Sequence, residues 1–185
     1  ERGNLLIWEE PMPGKSYYIG ADVAEGLEHG DFSAFFIVDQ HDNEVAAYNG
    51  HIEDTAYGRL LCTVGAHYGN ALLGIELNNH GHSVINTAFK QLKYPNPYYM
   101  QQYGDRDGKL QQDLKRLGWH TNAKTKPIII NALADQIDGG QFRTRSRALV
   151  SQLRTFIRHG DGSIGARAGC YDDLVIARAI AGELV

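Results

Sequence analysis

Between residues 17 and 52 the chain alternates short apolar runs with turn residues. YYIGADVA (17–24) is a β-rich run ending beside an acid, and Gly26 and Gly30 punctuate a turn after it. FSAFFIVDQ (32–40) is a second strand, HDNE (41–44) a hairpin-like turn, and EVAAYNGHI (44–52) a third strand. Three strands with short turns predict an antiparallel meander. The period then changes. In residues 54–69, Tyr57, Leu60, Leu61 and Val64 recur at helical spacing, with Asp54 or Thr55 as the cap. ALLGIEL (71–77) reads as an apolar strand carrying Glu76, and NNHGHSVINTAFKQL (78–92) as cap residues followed by a helix.

YPNPYYMQQY (94–103) is a short strand bounded by prolines, and residues 105–121 form a hairpin or an excursion. TKPIIINALADQIDGG (125–140) is a helix with Thr125 as N-cap, Pro127 in its first turn and Gly139 and Gly140 at its end. A further helix is expected around 148–157, a turn or small hairpin at Gly160, Gly162 and Gly165, and a closing helix from near Tyr171. Residues 1–16, with Pro11, Pro13 and Gly14, read as a leading arm or linker from a preceding domain, and residues 17–185 as one domain. The element order predicts an α/β fold. Its mixed sheet has an antiparallel three-stranded meander plus parallel strands and is flanked by helices.

Composition narrows this only a little. A chain of 185 residues is long enough for one sizeable core, and a net charge of −4 argues against non-specific coating of nucleic acid. A local basic face remains at Arg143, Arg145 and Arg147, followed by Arg154, Arg158 and His159; the same residues suit a solvated helix face. The sequence has no apolar run of about 18 residues, so no membrane span is expected. The N-terminal stretch lacks the order of a signal peptide and reads as the continuation of a longer chain. Cys62 and Cys170 are isolated and read as small buried hydrophobes in a reducing compartment rather than a disulfide.

The chemistry lies in the acids. Asp22 sits among strand residues Ile19, Gly20, Ala21 and Val23, and Glu76 between Ile75 and Leu77. GCYDDLVIARAIAG (169–182) opens an apolar helix with two adjacent aspartates, Asp172 and Asp173. A carboxylate embedded in apolar surroundings is costly unless paired or bound to a cation. Hard oxygen ligands suit Mg²⁺ or Mn²⁺, and two such ions about 4 Å apart clamp the attacking and leaving oxygens of a phosphodiester displacement. Other roles stay open: Asp22 as a turn cap, Glu76 in an ion pair, Asp172 as N-cap with Asp173 as ligand. Asp31 most simply caps a turn or starts the second strand. The isolated cysteines and the lone His80/His82 pair do not suggest zinc.

Four stretches together, YYIGADVAEGLEHGDFSAFFIVD, LLGIELNNHG, GWHTNAKTKPIII and GCYDDLVIARAIA, resemble the C-terminal nuclease domain of phage large terminase subunits. The resemblance implies an RNase H-like fold with a five-stranded sheet, similar to Holliday-junction resolvases. It implies a metal-dependent endonuclease that cuts concatemeric double-stranded viral DNA during packaging, in the host cytoplasm, leaving 5′-phosphate and 3′-hydroxyl ends. By position, Asp22, Glu76 and Asp173 are the expected catalytic acids, and together with the neighbouring Asp172 they are the expected metal-holding residues, with two Mg²⁺ or Mn²⁺ as cofactors. Lys124, Lys126, Arg143, Arg145 and Arg147 are, by their charge, the candidate phosphate contacts for DNA. The implied partners are double-stranded DNA, the terminase ATPase domain, the small terminase subunit and the portal protein. Two positions depart from many relatives: Tyr171 stands where they have His, and Gln152 where they have Glu. The sequence has no GxxxxGK[ST] phosphate loop, so this stretch is not expected to hydrolyse ATP. Rival readings are a junction resolvase on the same fold and a non-catalytic RNase H-like module for DNA binding or assembly.

Overall fold

Among the described residues, seven short strands and five α-helices form, in the order β1 (Leu5–Ile7), β2 (Tyr17–Asp22), β3 (Ser33–Asp39), β4 (Glu44–Gly50), α1 (Asp54–His67), β5 (Leu72–Ile75), α2 (Gly81–Ile85), α3 (Lys126–Asp138), α4 (Arg147–Leu153), β6 (Phe156–Arg158), β7 (Ile164–Ala166) and α5 (Asp173–Glu183). These come from a computed structural model that describes residues 4–24, 32–77, 81–100 and 117–185. The turn at Gly26 and Gly30, Asp31, the helix-cap residues 78–80 and the excursion at 101–116 lie outside the described residues.

The expected meander forms: β2, β3 and β4 pair antiparallel in sequence. β5 joins β2 in parallel, which requires the α1 crossover between them. The five-stranded sheet has the order β1-β4-β3-β2-β5. Its outer strand β1 comes from within residues 1–16 and pairs antiparallel with β4. Isolated parallel bridges from Leu73 to Pro97 and from Glu76 to Trp119 extend the β5 edge.

Alternation along each strand divides the core in two. Ile19, Ala21, Phe35, Ile37, Leu73 and Ile75 face α1, whose Tyr57, Leu61 and Val64 fill that side. Ala34, Phe36, Val38 and Ala47 face α5, with Leu174, Ala177 and Ile180 packed over them. Cys62 and Cys170 form no disulfide and are half-buried rather than buried; partial burial pushes the Cys62 thiol up to about 11.

Glycine sets how closely α5 approaches. A Cβ on Gly20 would fall inside contact distance of Ala181 N and Ala177 O, both helix backbone. Gly20→Ala is therefore expected to lower stability by roughly 1–3 kcal/mol or more, read from urea melts. Gly160→Ala, which meets nothing within 4 Å, should stay within about 0.5 kcal/mol.

Several local expectations are corrected. The α1 cap is Glu53, whose carboxylate accepts the Ala56 N–H at 2.9 Å; Asp54 and Thr55 already lie inside the first turn. Thr125 holds the N-cap position of α3 without a side-chain cap bond. Its hydroxyl instead donates to His120 O at 2.6 Å and accepts the Asn122 N–H at 2.9 Å, closing the preceding turn. Helix α2 widens into a π-helical turn over Asn86–Gln91. The helix expected through residue 157 ends at Leu153, and Phe156–Arg158 pairs antiparallel with Ile164–Ala166. Thr155, Phe156 and Ile157 favour strand once a partner is available. The glycines between form the hairpin turn.

Candidate active site

One rung of the sheet gathers the polar residues. Asp22, the last residue of β2, pairs with Ala34, and Ala34 pairs in turn with Asn49 on β4. On the other side the Glu76 N–H donates to Ala21 O at 2.8 Å, extending the parallel register from Ile75 by one residue. Glu76 then bridges to Trp119. Across the sheet the rung reads Asn49, Ala34, Asp22, Glu76, Trp119, all on the α5 side by alternation. The acids stand at the carboxyl ends of two parallel strands, where open α/β sheets place their ligands. Ala34 is small and leaves room for the first turn of α5, which brings in Asp173, itself only 5% exposed.

The electrostatics show how close the acids are. Asp22 is half-buried, with its carboxyl surrounded by protein, and is held well above the usual carboxylate range. Burial is the main cause, followed by the charge of Glu76, a hydrogen bond with Glu76, and the charges of Asp173 and Asp172. Beside other carboxyls and out of water, Asp22 holds its proton more readily than a free carboxyl does. From the opposite face, buried Tyr57 donates to Ala34 O at 2.7 Å and holds the rung's backbone. Burial first, then the charges of Asp22, Tyr48, Asp173 and Glu76, push its phenol far up, so it remains a neutral donor.

The adjacent aspartates have different surroundings. Asp172 holds the N-cap position of α5, but its side chain caps nothing; it pairs with Lys126 Nζ at 3.3 Å. The Leu174 N–H donates instead to Gln152 Oε1 at 2.8 Å, so the glutamine from α4 does the capping. Gly165 on β7 lies against this pair: a Cβ there would be 3.4 Å from Asp172 Oδ2, 3.7 Å from Lys126 Nζ and 3.9 Å from His159 Nε2. A cleft of about 560 Å³ opens beside Lys126, lined by Thr121, Asn122, Asp161 and Ser163 among others. Lys124 is exposed near it, its backbone N–H donating to Asn122 Oδ1 at 2.8 Å.

The arginine cluster lies elsewhere. Thr144 Oγ1 and the Arg145 N–H donate to Glu44, which pairs with Val38, four residues along β3 from Ala34. That is roughly 13 Å along the sheet from the acids. Arg143 donates to Gly140 O and Phe142 O, Arg145 pairs with Glu9, and Arg147 is exposed at the start of α4. Of the later basic residues, His159 in the β6–β7 hairpin comes back to the acid end, its Nε2 beside the Gly165 position that also adjoins Asp172.

Asn49 Oδ1, Trp119 Nε1 and Thr121 Oγ1 are buried polar atoms on or near the rung that make no hydrogen bond among the described residues. Asn49 and Trp119 escaped sequence reasoning because strand alternation shows their face only once the register is known. Hard carboxylate oxygens crowded together fit a divalent cation, which would relieve their mutual repulsion. Among the described residues no three His, Cys, Asp or Glu side chains are already gathered as a set that could hold an ion; Asp22 turns to Glu76 instead.

The sequence matches no family model. The architecture does have counterparts. Over 99% of its length the chain superimposes on 88% of the large terminase nuclease from thermophilic phage G20c with bound cobalt, at TM-score 0.75 and 19% identity. The fold is that of the large terminase nucleases. The magnesium-bound form of the same phage nuclease gives TM-score 0.73 at 19% identity, over 99% of this chain and 88% of that one. The nuclease domain of Thermus phage P74-26 gives 0.67 at 20% identity, over 97% and 85%. The mixed sheet flanked by helices is thus the RNase H-like terminase-nuclease fold, with the meander, the parallel strand and the final helix in the expected order. Among the described residues no helix is long and apolar enough to cross a membrane.

Proposed function

We propose that this domain is a metal-dependent endonuclease that cuts concatemeric double-stranded viral DNA during genome packaging. The observation that carries the reading is the contact of Asp22 with Glu76, beside Asp173, at the carboxyl ends of parallel strands in a terminase-nuclease fold. Asp22, Glu76 and Asp173 hold the cation site, and Asp172 borders it. When bound, two Mg²⁺ or Mn²⁺ ions supply a water of lowered pKa and stabilise the leaving 3′ oxygen. The chain's own residues do the rest. Asp22, held above its ordinary range, would give up its proton as a cation binds, and Tyr57 keeps the β3 backbone fixed beneath it. Lys126, held by Asp172, and exposed Lys124 contact backbone phosphates, which positions DNA without reading its sequence. Arg147, exposed at the start of α4, is available for a distal phosphate, whereas Arg143 and Arg145, also exposed, already bond their own chain. The products carry 5′-phosphate and 3′-hydroxyl ends. The partners are the terminase ATPase domain, the small subunit and the portal, met in the host cytoplasm.

The test uses supercoiled plasmid with Mn²⁺ or Mg²⁺. Nicking is expected, and EDTA should stop it. Nicking that persists in EDTA overturns the metal assignment, and preference for four-way junctions over duplex assigns the site to a resolvase instead. Absence of both cutting and Mn²⁺ binding leaves a non-catalytic module. A companion result concerns DNA affinity: Lys126→Ala should weaken duplex binding for all sequences and reduce the salt slope by about 1. Arg143→Ala, at the far end, should change it little. Binding titrations across salt concentrations distinguish these outcomes.

A further inference from the structure

Beside the carboxylate rung lies a group of rings that the cutting chemistry does not use. Phe32 precedes β3 and lies two residues from Ala34, so it continues the α5 side beyond Asp22. Its ring meets Tyr171 edge-on, with centroids 5.0 Å apart at 74°, and lies 4.2 Å from the imidazole of His51 at 37°. Phe32 is half-buried and holds the two outer rings in place, while His51 is exposed. Tyr171, 42% exposed, is the one aromatic among the exposed large hydrophobic side chains of the described residues. It immediately precedes Asp172, whose carboxylate carries Lys126. A rigid aromatic surface therefore adjoins both a cation and the acids.

We propose that Tyr171, braced by Phe32 and His51, is a stacking platform for an unpaired nucleobase of the DNA strand that enters the carboxylate site. The proposal rests on the nuclease reading and adds to it the state of the DNA. Several features select this occupant. The surface is three rings in extent, with polar tips on two of them, which suits a flat heteroaromatic ring better than an apolar helix. The neighbouring Lys126 offers a phosphate contact to the nucleotide that carries the base. The platform continues the rung where the phosphodiester is handled. In an intact duplex both faces of a base are covered by its neighbours, so only an opened or frayed strand can present one. Aromatic stacking tolerates every base, in keeping with cutting that need not read sequence.

The experiment is done in EDTA, so that binding is measured without cutting. The probe is a single-stranded oligonucleotide with 2-aminopurine placed at successive positions. The domain is expected to change the emission at one or two positions. Tyr171→Ala should remove that change and weaken single-strand binding by about 5-fold or more, with duplex binding much less affected. Tyr171→Trp should retain the signal. Tyr171→Leu, which keeps apolar bulk without a π face, should behave like the alanine variant, and thermal melts confirm that each variant is folded. Wild-type single-strand binding by the alanine and leucine variants overturns the proposal, as does failure of Tyr171→Trp to retain the signal. The signal is independent of cutting. A platform in a protein that never nicks plasmid sinks the nuclease reading alone, and nicking without the signal sinks the platform alone.

Discussion

Replacing Asp22 by Asn is expected to abolish plasmid nicking while stabilising the metal-free protein. The two effects share one cause. Asp22 is held well above its ordinary range, first by burial and then by Glu76, Asp173 and Asp172, so its charged form opposes folding. The folded protein binds this proton more tightly than the unfolded chain does. Stability is therefore full below the unfolded value, near 3.9, and falls as pH rises from there toward the raised folded value. Asparagine removes this dependence. The variant should melt with the wild type at acid pH and above it at pH 8, each kcal/mol of relief appearing as roughly 2–4 °C of Tm in a chain of this size. Divalent metal reverses the order. At about 100 times its Kd a bound ion adds roughly 2.7 kcal/mol, so Mn²⁺ should raise the wild-type Tm by roughly 5–10 °C and the Asp22→Asn Tm hardly at all. Nicking should fall by more than the roughly 100-fold that loss of a supporting residue around a metal can cost. A variant that still nicks, or whose melting responds to Mn²⁺ as the wild type does, removes Asp22 from the site.

The elements that were legible share one property: a local pattern with a single low-energy reading. Alternation with short turns made β2 to β4 readable, and acids set in apolar runs are costly enough to mark Asp22, Glu76 and Asp173 before any contact is known. Other features depend on register or on partners distant in sequence. Asn49 and Trp119 join the rung only through cross-strand pairing. Lys126 finds Asp172 across 46 residues, and Gln152 caps Leu174 across 22. The run Thr155–Ile157 is short and apolar, and periodicity alone does not separate helix from strand there. The arginine cluster was visible as charge. Charge along a sequence does not say which end of a sheet it will occupy, and Glu44 anchors residues 144–145 at the end away from the acids.

That far end supplies the largest expected loss of stability, in Arg178→Met. Arg178 is 1% exposed on α5, five residues beyond Asp173. Its Nε donates to Glu44 Oε1 at 3.1 Å and its Nη2 to Asp42 O at 3.2 Å, while Nη1 lies 2.9 Å from Asp42 Oδ1 as a charge contact without hydrogen-bond alignment. Phe142 covers the guanidinium at 5.2 Å. Removing the cation leaves Glu44 buried with, among the described residues, Thr144 and the Arg145 N–H as its remaining donors, a loss of about 3–5 kcal/mol, or roughly 10 °C or more of Tm. Burial already pushes Glu44 above its usual range, against the pull of the Arg145 N–H, Arg178 and Thr144. Without Arg178 it rises further, so the variant's deficit should be smallest at acid pH, where Glu44 is neutral, and should grow as pH rises. Pairing the change with Glu44→Leu removes the stranded charge and should recover much of the loss, whereas Arg178→Lys keeps the charge without the fork and should fall between. The Mn²⁺ response reads the other consequence. Arg178 fixes where α5 sits along β2 and β3, and hence where Asp173 meets Asp22, so Arg178→Met should also blunt the metal-induced rise in Tm. Melting equal to the wild type at pH 8 excludes Arg178 as the anchor of the helix that carries Asp173.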